Sequence, residues 1–174
     1  MRTLSLLRHA KSSWDDATLD DFDRPLAPRG RKAAPLMGRH MRDLGLAPDL
    51  VLCSSAARTR ETAKLALGEF DDNRLPISHD SAIYEASLSS LIARLRTVDD
   101  GVRHLLMIGH NPGLQDLVLC LVGGRLDAAH ETIAEKLPTA ALVVLDLDIA
   151  DWSAIGPGCG RITHFATPKL LKGD

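Results

Sequence analysis

Aromatic residues are scarce in this chain, which holds two Trp, one Tyr and three Phe among 174 residues. Single-stranded nucleic acid is gripped largely by stacking bases on aromatic rings, so the scarcity argues against that class of partner. Cysteine is sparse too. Cys53, Cys120 and Cys159 are odd in number and far apart, which argues against a disulfide framework and fits a reducing compartment. Neither charge sign dominates, since 21 Lys and Arg stand against 23 Asp and Glu for a net charge of −2. Bulk electrostatics therefore give no reason to expect a membrane or nucleic-acid partner. No apolar run approaches the ~18 residues of a membrane-spanning helix. The first such run stops at Arg8-His9, too early for a signal peptide. The expected setting is the cytoplasm.

What is present fits an ordinary globular protein, with 45% hydrophobic and 25% charged residues. A chain of this length is expected to form one domain, residues 1–174, with a core of its own. Short apolar segments predict strands at Thr3 to Leu7, Leu50 to Cys53, Ile77 to His79, His104 to Ile108 and Ala141 to Leu147. Helical patterns lie between them. Ala33, Met37, Met41 and Leu44 form one apolar stripe, in which Pro35 predicts either a helix start or a kink. Ala56 to Leu67 is rich in good helix formers, and Leu88 to Leu95 is a shorter amphipathic run. Asn111-Pro112 reads as an N-cap followed by proline at the first helical position, opening a helix that Gly123-Gly124 ends. The stretch Trp14 to Pro28 carries five Asp and reads as a loop over the site. Residues 125 to 139 read as an irregular connection, and the last ten as a terminal strand and tail. Alternating strands and helices predict an α/β fold with a mainly parallel sheet covered on both faces.

Ligands of such sheets gather outside the carboxyl ends of the strands. Three strand exits carry the polar residues of interest: Arg8-His9-Ala10, Ser54-Ser55-Ala56-Ala57-Arg58 and Gly109-His110-Asn111-Pro112. Two His and two Arg would converge there beside two helix N-termini, which favour anions. Arginine forks match phosphate oxygens, and a neutral imidazole can act as a covalent nucleophile. The pattern points to chemistry on a phosphoryl group.

The ordered set R-H-A, S-S-A-A-R and G-H-N-P resembles the histidine phosphatase superfamily, whose signature begins with R-H-G or R-H-A. The short chain, the segment Asp21 to Gly30 (D-F-D-R-P-L-A-P-R-G) and the G-H-N-P turn are similar to the SixA-type phosphohistidine phosphatases. The resemblance runs from residue 2 to about residue 124. It implies a three-layer α/β/α sandwich of the phosphoglycerate mutase-like fold. It also implies that His9 is the phosphorylated nucleophile and that Arg8, Arg58 and His110 hold the transferring group. Ser12 falls where the family often places a hydroxyl donor near the phosphate, and Asn111 could add an amide donor. Glu85 resembles the family's acidic position for protonating the leaving group, with Asp15, Asp21 and Asp23 as competitors. The larger members carry Asn where Asp15 stands. The implied activity is hydrolysis through a phosphohistidine intermediate, with a phosphorylated protein such as a phosphorelay domain as substrate. Small phosphomonoesters are the alternative substrate class, and a phosphate-binding module without turnover is the alternative of another kind.

Two other readings are demoted. Only four residues separate Cys53 from Arg58, where a tyrosine-phosphatase loop needs five, so Cys53 is expected to be a small buried apolar residue. The remaining histidines, His40, His79, His104, His130 and His164, show no metal-ligand spacing, and no metal or other cofactor is expected.

Overall fold

The computed structural model of the protein describes residues 1–71, 74–124 and 127–173. In chain order its regular elements are β1 (Arg2–Arg8), α1 (Pro28–Asp43), β2 (Leu50–Ser54), α2 (Ala57–Leu67), β3 (Ile77–Asp80), α3 (Leu88–Leu95), β4 (His104–Gly109), α4 (Gly113–Val122), α5 (Ala128–Glu135), β5 (Leu142–Leu147), β6 (Gly160–Ala166) and α6 (Pro168–Lys172). The six strands form one sheet in the order β3-β2-β4-β1-β5-β6. The first four strands of that order run parallel, whereas β5 pairs antiparallel with β1 and with β6.

Period-two side-chain alternation sends successive strand residues to opposite faces, and both faces are covered. Leu4, Leu6, Leu105 and Met107 pack with Leu91, Leu95, Leu114, Leu117 and Ile133 of α3, α4 and α5. Leu7, Leu106 and Ile108 pack with Ala33, Met37 and Met41 of α1 and with Ala63 and Ala66 of α2 on the other face. The result is the three-layer α/β/α arrangement expected from the sequence. Among the described residues no helix is long and apolar enough to cross a membrane.

The sheet order sets the position of the site. Arg8 at the end of β1 is paired with Gly109 at the end of β4, and Cys53 near the end of β2 with Ile108. The three strand exits therefore lie side by side on one edge. Gly30 holds α1 close to that edge, because a Cβ there would stand 2.2 Å from the Lys11 carbonyl oxygen. The same carbonyl accepts the Ala27 amide at 2.8 Å. A side chain at position 30 would push the segment after His9 out of place.

Several sequence expectations need correction. α1 begins at Pro28 and runs through Pro35, so Pro35 does not mark the start. Pro28 at the first helical position is the actual start signal. Pro112, not Asn111, is the N-cap residue of α4, and no side chain caps the helix; the Asn111 amide donates instead to the Leu137 carbonyl. Gly123 ends α4 in the left-handed region as expected, with φ 61°. The connection read over 125 to 139 contains helix α5, capped by the Asp127 carboxylate, which accepts the His130 amide. Residues 125 and 126 lie outside the described residues. Its stripe is thin, with only His130 and Ile133 buried, so periodicity gave little signal. The terminal strand begins earlier than expected, at Gly160, and the segment after it forms α6.

Candidate active site

His9 follows β1 directly, and its backbone is fixed from three sides. Its amide donates to the Gly109 carbonyl at 3.1 Å, and its carbonyl accepts the Ala140 amide at 3.0 Å. The next amide, that of Ala10, donates to Thr62 Oγ1 of α2 at 3.0 Å. The imidazole Nδ1 lies 2.7 Å from the Ala10 carbonyl oxygen. A carbonyl can only accept, so Nδ1 carries the proton and Nε2 keeps a free lone pair. Burial pushes the His9 pKa down to about 3, with His110, Arg8 and Arg58 adding in the same direction and the Ala10 carbonyl opposing.

His110 sits across from it, with ring centroids 5.3 Å apart. Its Nε2 is 2.7 Å from Ser54 Oγ at the end of β2. Its Nδ1 is buried without a hydrogen-bond partner among the described residues, as are Arg8 Nε and Asn111 Oδ1. Burial, and then the Arg58 charge, push the His110 pKa down to about 4. Arg8 Nη1 and Asn111 Nδ2 both donate to the Leu137 carbonyl at 2.9 Å. Arg8 is itself lowered by burial and by the nearby Arg58.

Arg58 occupies the first turn of α2 and is buried. Its Nη1 donates to the Asp21 carbonyl at 2.7 Å and its Nη2 to Asp21 Oδ2 at 3.0 Å. A guanidinium has five N–H donors, so three remain without a partner among the described residues. The Asp21 carboxylate also accepts from Arg24 Nη1 at 2.8 Å and from the Tyr84 hydroxyl at 2.5 Å. The Tyr84 hydrogen bond is the main cause that holds the Asp21 carboxyl at about 2, against a small opposing effect of burial, and Arg58 and Arg24 act with it. Tyr84 in turn meets Phe22 and His110 edge-on, with centroids 5.0 and 5.4 Å away. The aspartate-rich loop thus reaches the site through Asp21, whereas Asp15 and Asp23 stay exposed.

Asp21, Arg58, Glu85, His110 and Asn111 line one cleft of about 480 Å³ at this edge. Glu85 is exposed there and adopts φ 53°, an uncommon conformation for a residue with a side chain. Ser12 is buried with its hydroxyl against Arg24 Nη2, and it lies outside the lining of the cleft, as do Arg8 and His9. Sequence reasoning missed Ser54, Tyr84 and the Leu137 carbonyl. The serine lies in the quoted S-S-A-A-R motif, but nothing in sequence pairs it with His110.

Cys53 is fully buried, and desolvation raises its thiol to about 12, so it is no thiolate nucleophile. Among the described residues no three His, Cys, Asp or Glu side chains come together in a way that could hold a metal ion.

The low imidazole pKa values have a definite sign. Unfolded histidines protonate near ~6.5, whereas His9 and His110 stay neutral in the fold. Their contribution to stability is complete above ~6.5 and is lost as pH falls towards the folded values. We expect NMR to show both rings neutral between roughly pH 5 and pH 8. A His9 resonance titrating near its ordinary value would contradict this.

Two buried imidazoles therefore meet at the strand exits, with Arg8 and Arg58 near enough to act on both. The family model of the histidine phosphatase superfamily (branch 1) matches residues 4–145, and the chain belongs to that superfamily. An uncharacterised protein of Mycobacterium tuberculosis is 38% identical over 165 residues, spanning 94% of this chain and all of that protein. A 2,3-bisphosphoglycerate-dependent phosphoglycerate mutase of Thermobifida fusca is 33% identical over 93 residues, 52% of this chain and 38% of the mutase. A structure from Agrobacterium tumefaciens, assigned as the phosphohistidine phosphatase SixA, superposes with a TM-score of 0.81 at 28% identity, covering 96% of this chain and 98% of that one.

Proposed function

We propose that the protein is a phosphatase that carries the phosphoryl group on His9 Nε2 and acts on phosphohistidine in a protein. The observation that carries the reading is the fixed tautomer of His9, whose free Nε2 lone pair sits among Arg8, Arg58 and His110. Phosphoryl transfer is governed by positioning and charge neutralisation, and those residue types supply both. The Ser54 hydroxyl lies 2.7 Å from His110 Nε2, and we assign it as the donor, which places the imidazole proton on the buried Nδ1. His110 Nδ1–H then serves as a donor to a phosphoryl oxygen. Arg58 Nη and Nε protons and the Arg8 Nε–H supply the others.

In the first half-reaction the His9 Nε2–phosphorus bond forms as the bond to the leaving group breaks, and Glu85 donates a proton to that group. In the second, the Glu85 carboxylate takes a proton from water, which attacks phosphorus and releases inorganic phosphate and free His9. Glu85 is preferred to Asp21 because Asp21 is locked in its ionised form by three donors. Glu85→Gln is expected to slow hydrolysis of alkyl phosphates by ~10²-fold or more, and of phosphoramidates less, since their nitrogen can arrive protonated. Equal rates for wild type and variant on both substrates would remove Glu85 from this role.

The similarity to a protein assigned as SixA supports a protein-borne phosphohistidine as substrate. Small phosphomonoesters are the competing class, since the cleft is open enough to admit them. The deciding comparison is kcat/KM on a histidine-phosphorylated protein against p-nitrophenyl phosphate. A clear preference for the protein supports the reading, and a preference for the small ester overturns it.

A further inference from the structure

A second groove, of about 510 Å³, is strongly basic. Lys11, Arg29, Lys169 and Lys172 line it together with Pro138 and Thr139, and no Asp or Glu does among the described residues. The four cations come from three separate segments: the stretch after β1, the first turn of α1, and α6. All four are exposed, and none makes an ion pair among the described residues. The chain as a whole is slightly acidic, at −2, so this is a local concentration of positive charge.

The groove is built on the same backbone as the nucleophile. Lys11 follows His9 by two residues. Pro138 and Thr139 lie between Leu137, whose carbonyl accepts Arg8 and Asn111, and Ala140, whose amide donates to the Arg8 and His9 carbonyls. Anything seated in the groove is therefore fixed relative to His9.

We propose that this groove docks an acidic face of the phosphorylated protein, a proposal that rests on the protein-substrate reading above. The transferring phosphoryl group already has Arg8, Arg58 and two imidazoles, so four further cations serve the carrier. A small anionic ligand is usually held by buried, pre-positioned donors. Exposed lysines and arginines instead speed and orient the approach of a large charged partner. A largely apolar trough adjoins the groove, sharing Pro138, Thr167 and Lys169 with it and adding Ala128, Ile162 and Phe165, with Asp127 also in its lining. Leu170, 59% exposed, stands in its wall. Apolar surface bordered by cations suits a protein face, and the basic groove itself is lined by no aromatic ring among the described residues on which a base could stack.

The test uses the full chain with Lys169→Glu and Lys172→Glu combined, and Arg29→Glu separately, since all three residues lie outside the catalytic cleft. Substrates are a histidine-phosphorylated phosphotransfer domain of net negative charge and p-nitrophenyl phosphate. Both variants are expected to lose ~10-fold or more in kcat/KM on the phosphoprotein at low salt, through KM, with p-nitrophenyl phosphate turnover unchanged. High salt should erase the difference from wild type, because exposed charges are screened. Parallel losses on both substrates, undiminished activity on the phosphoprotein, or capture of RNA by the wild type but not the variants would each overturn the docking proposal. A wild type that cleaves p-nitrophenyl phosphate and leaves the phosphoprotein intact would overturn the substrate reading, and the docking proposal with it.

Discussion

Replacing His9 by alanine is expected to lower turnover by ~10⁴-fold or more on every phosphorylated substrate, because the phosphoryl group loses its acceptor. No neighbour can stand in. His110 is the other imidazole at the edge, and its Nε2 is committed to Ser54. The Cys53 thiol is raised to about 12 and buried. The variant should still fold. The hydrogen bonds that fix the segment run through the backbone amides of His9 and Ala10 and the carbonyl of His9, which alanine retains. Circular dichroism would check this, and a folded variant with full activity would refute the nucleophile.

Arg58→Ala is expected to cost ~10³-fold in kcat/KM, the scale associated with an arginine that neutralises a transferring phosphoryl group. Arg58→Lys should recover little. A lysine ammonium is a single point of charge, whereas Arg58 must satisfy Asp21 with two N–H groups and still present others. Asp21 anchors that guanidinium from the loop, and Tyr84 anchors Asp21. Losses of comparable size with alanine and lysine would show that the fork, more than the charge, is what counts. Near-wild-type rates in both would place Arg58 outside the reaction.

The four central residues were legible in the sequence because each ends a short apolar strand or opens the helix after it. Strand exits of a parallel sheet share an edge, so His9, Arg58 and His110 could be brought together before any coordinates. The contacts that tune them were not legible. Ser54 to His110 and Arg8 to the Leu137 carbonyl link positions 56 and 129 residues apart, and no local pattern encodes such a distance. The aspartate loop shows the same limit. Its composition marked three acids as candidates, yet only packing shows that, of the three, Asp21 meets Arg58 and is held well below the usual carboxylate range. Asn111 was misread as an N-cap because the N-P pair matches that signature. In the fold Pro112 takes the N-cap position, and the Asn111 amide donates to the Leu137 carbonyl. Helix α5 was missed for want of buried apolar positions, and of the two readings of Pro35 the helix start is the one the structure rules out, since α1 runs through it from Pro28.

The central claim is that the phosphoryl group passes through His9 Nε2. Rapid quenching in alkali of the enzyme mixed with a radiolabelled histidine-phosphorylated protein tests it most directly, since phosphohistidine survives alkali and is lost in acid. We predict an acid-labile label on the peptide that contains His9, absent from His9→Ala. Turnover with no label at that residue, or a label on His110 in its place, would contradict the account.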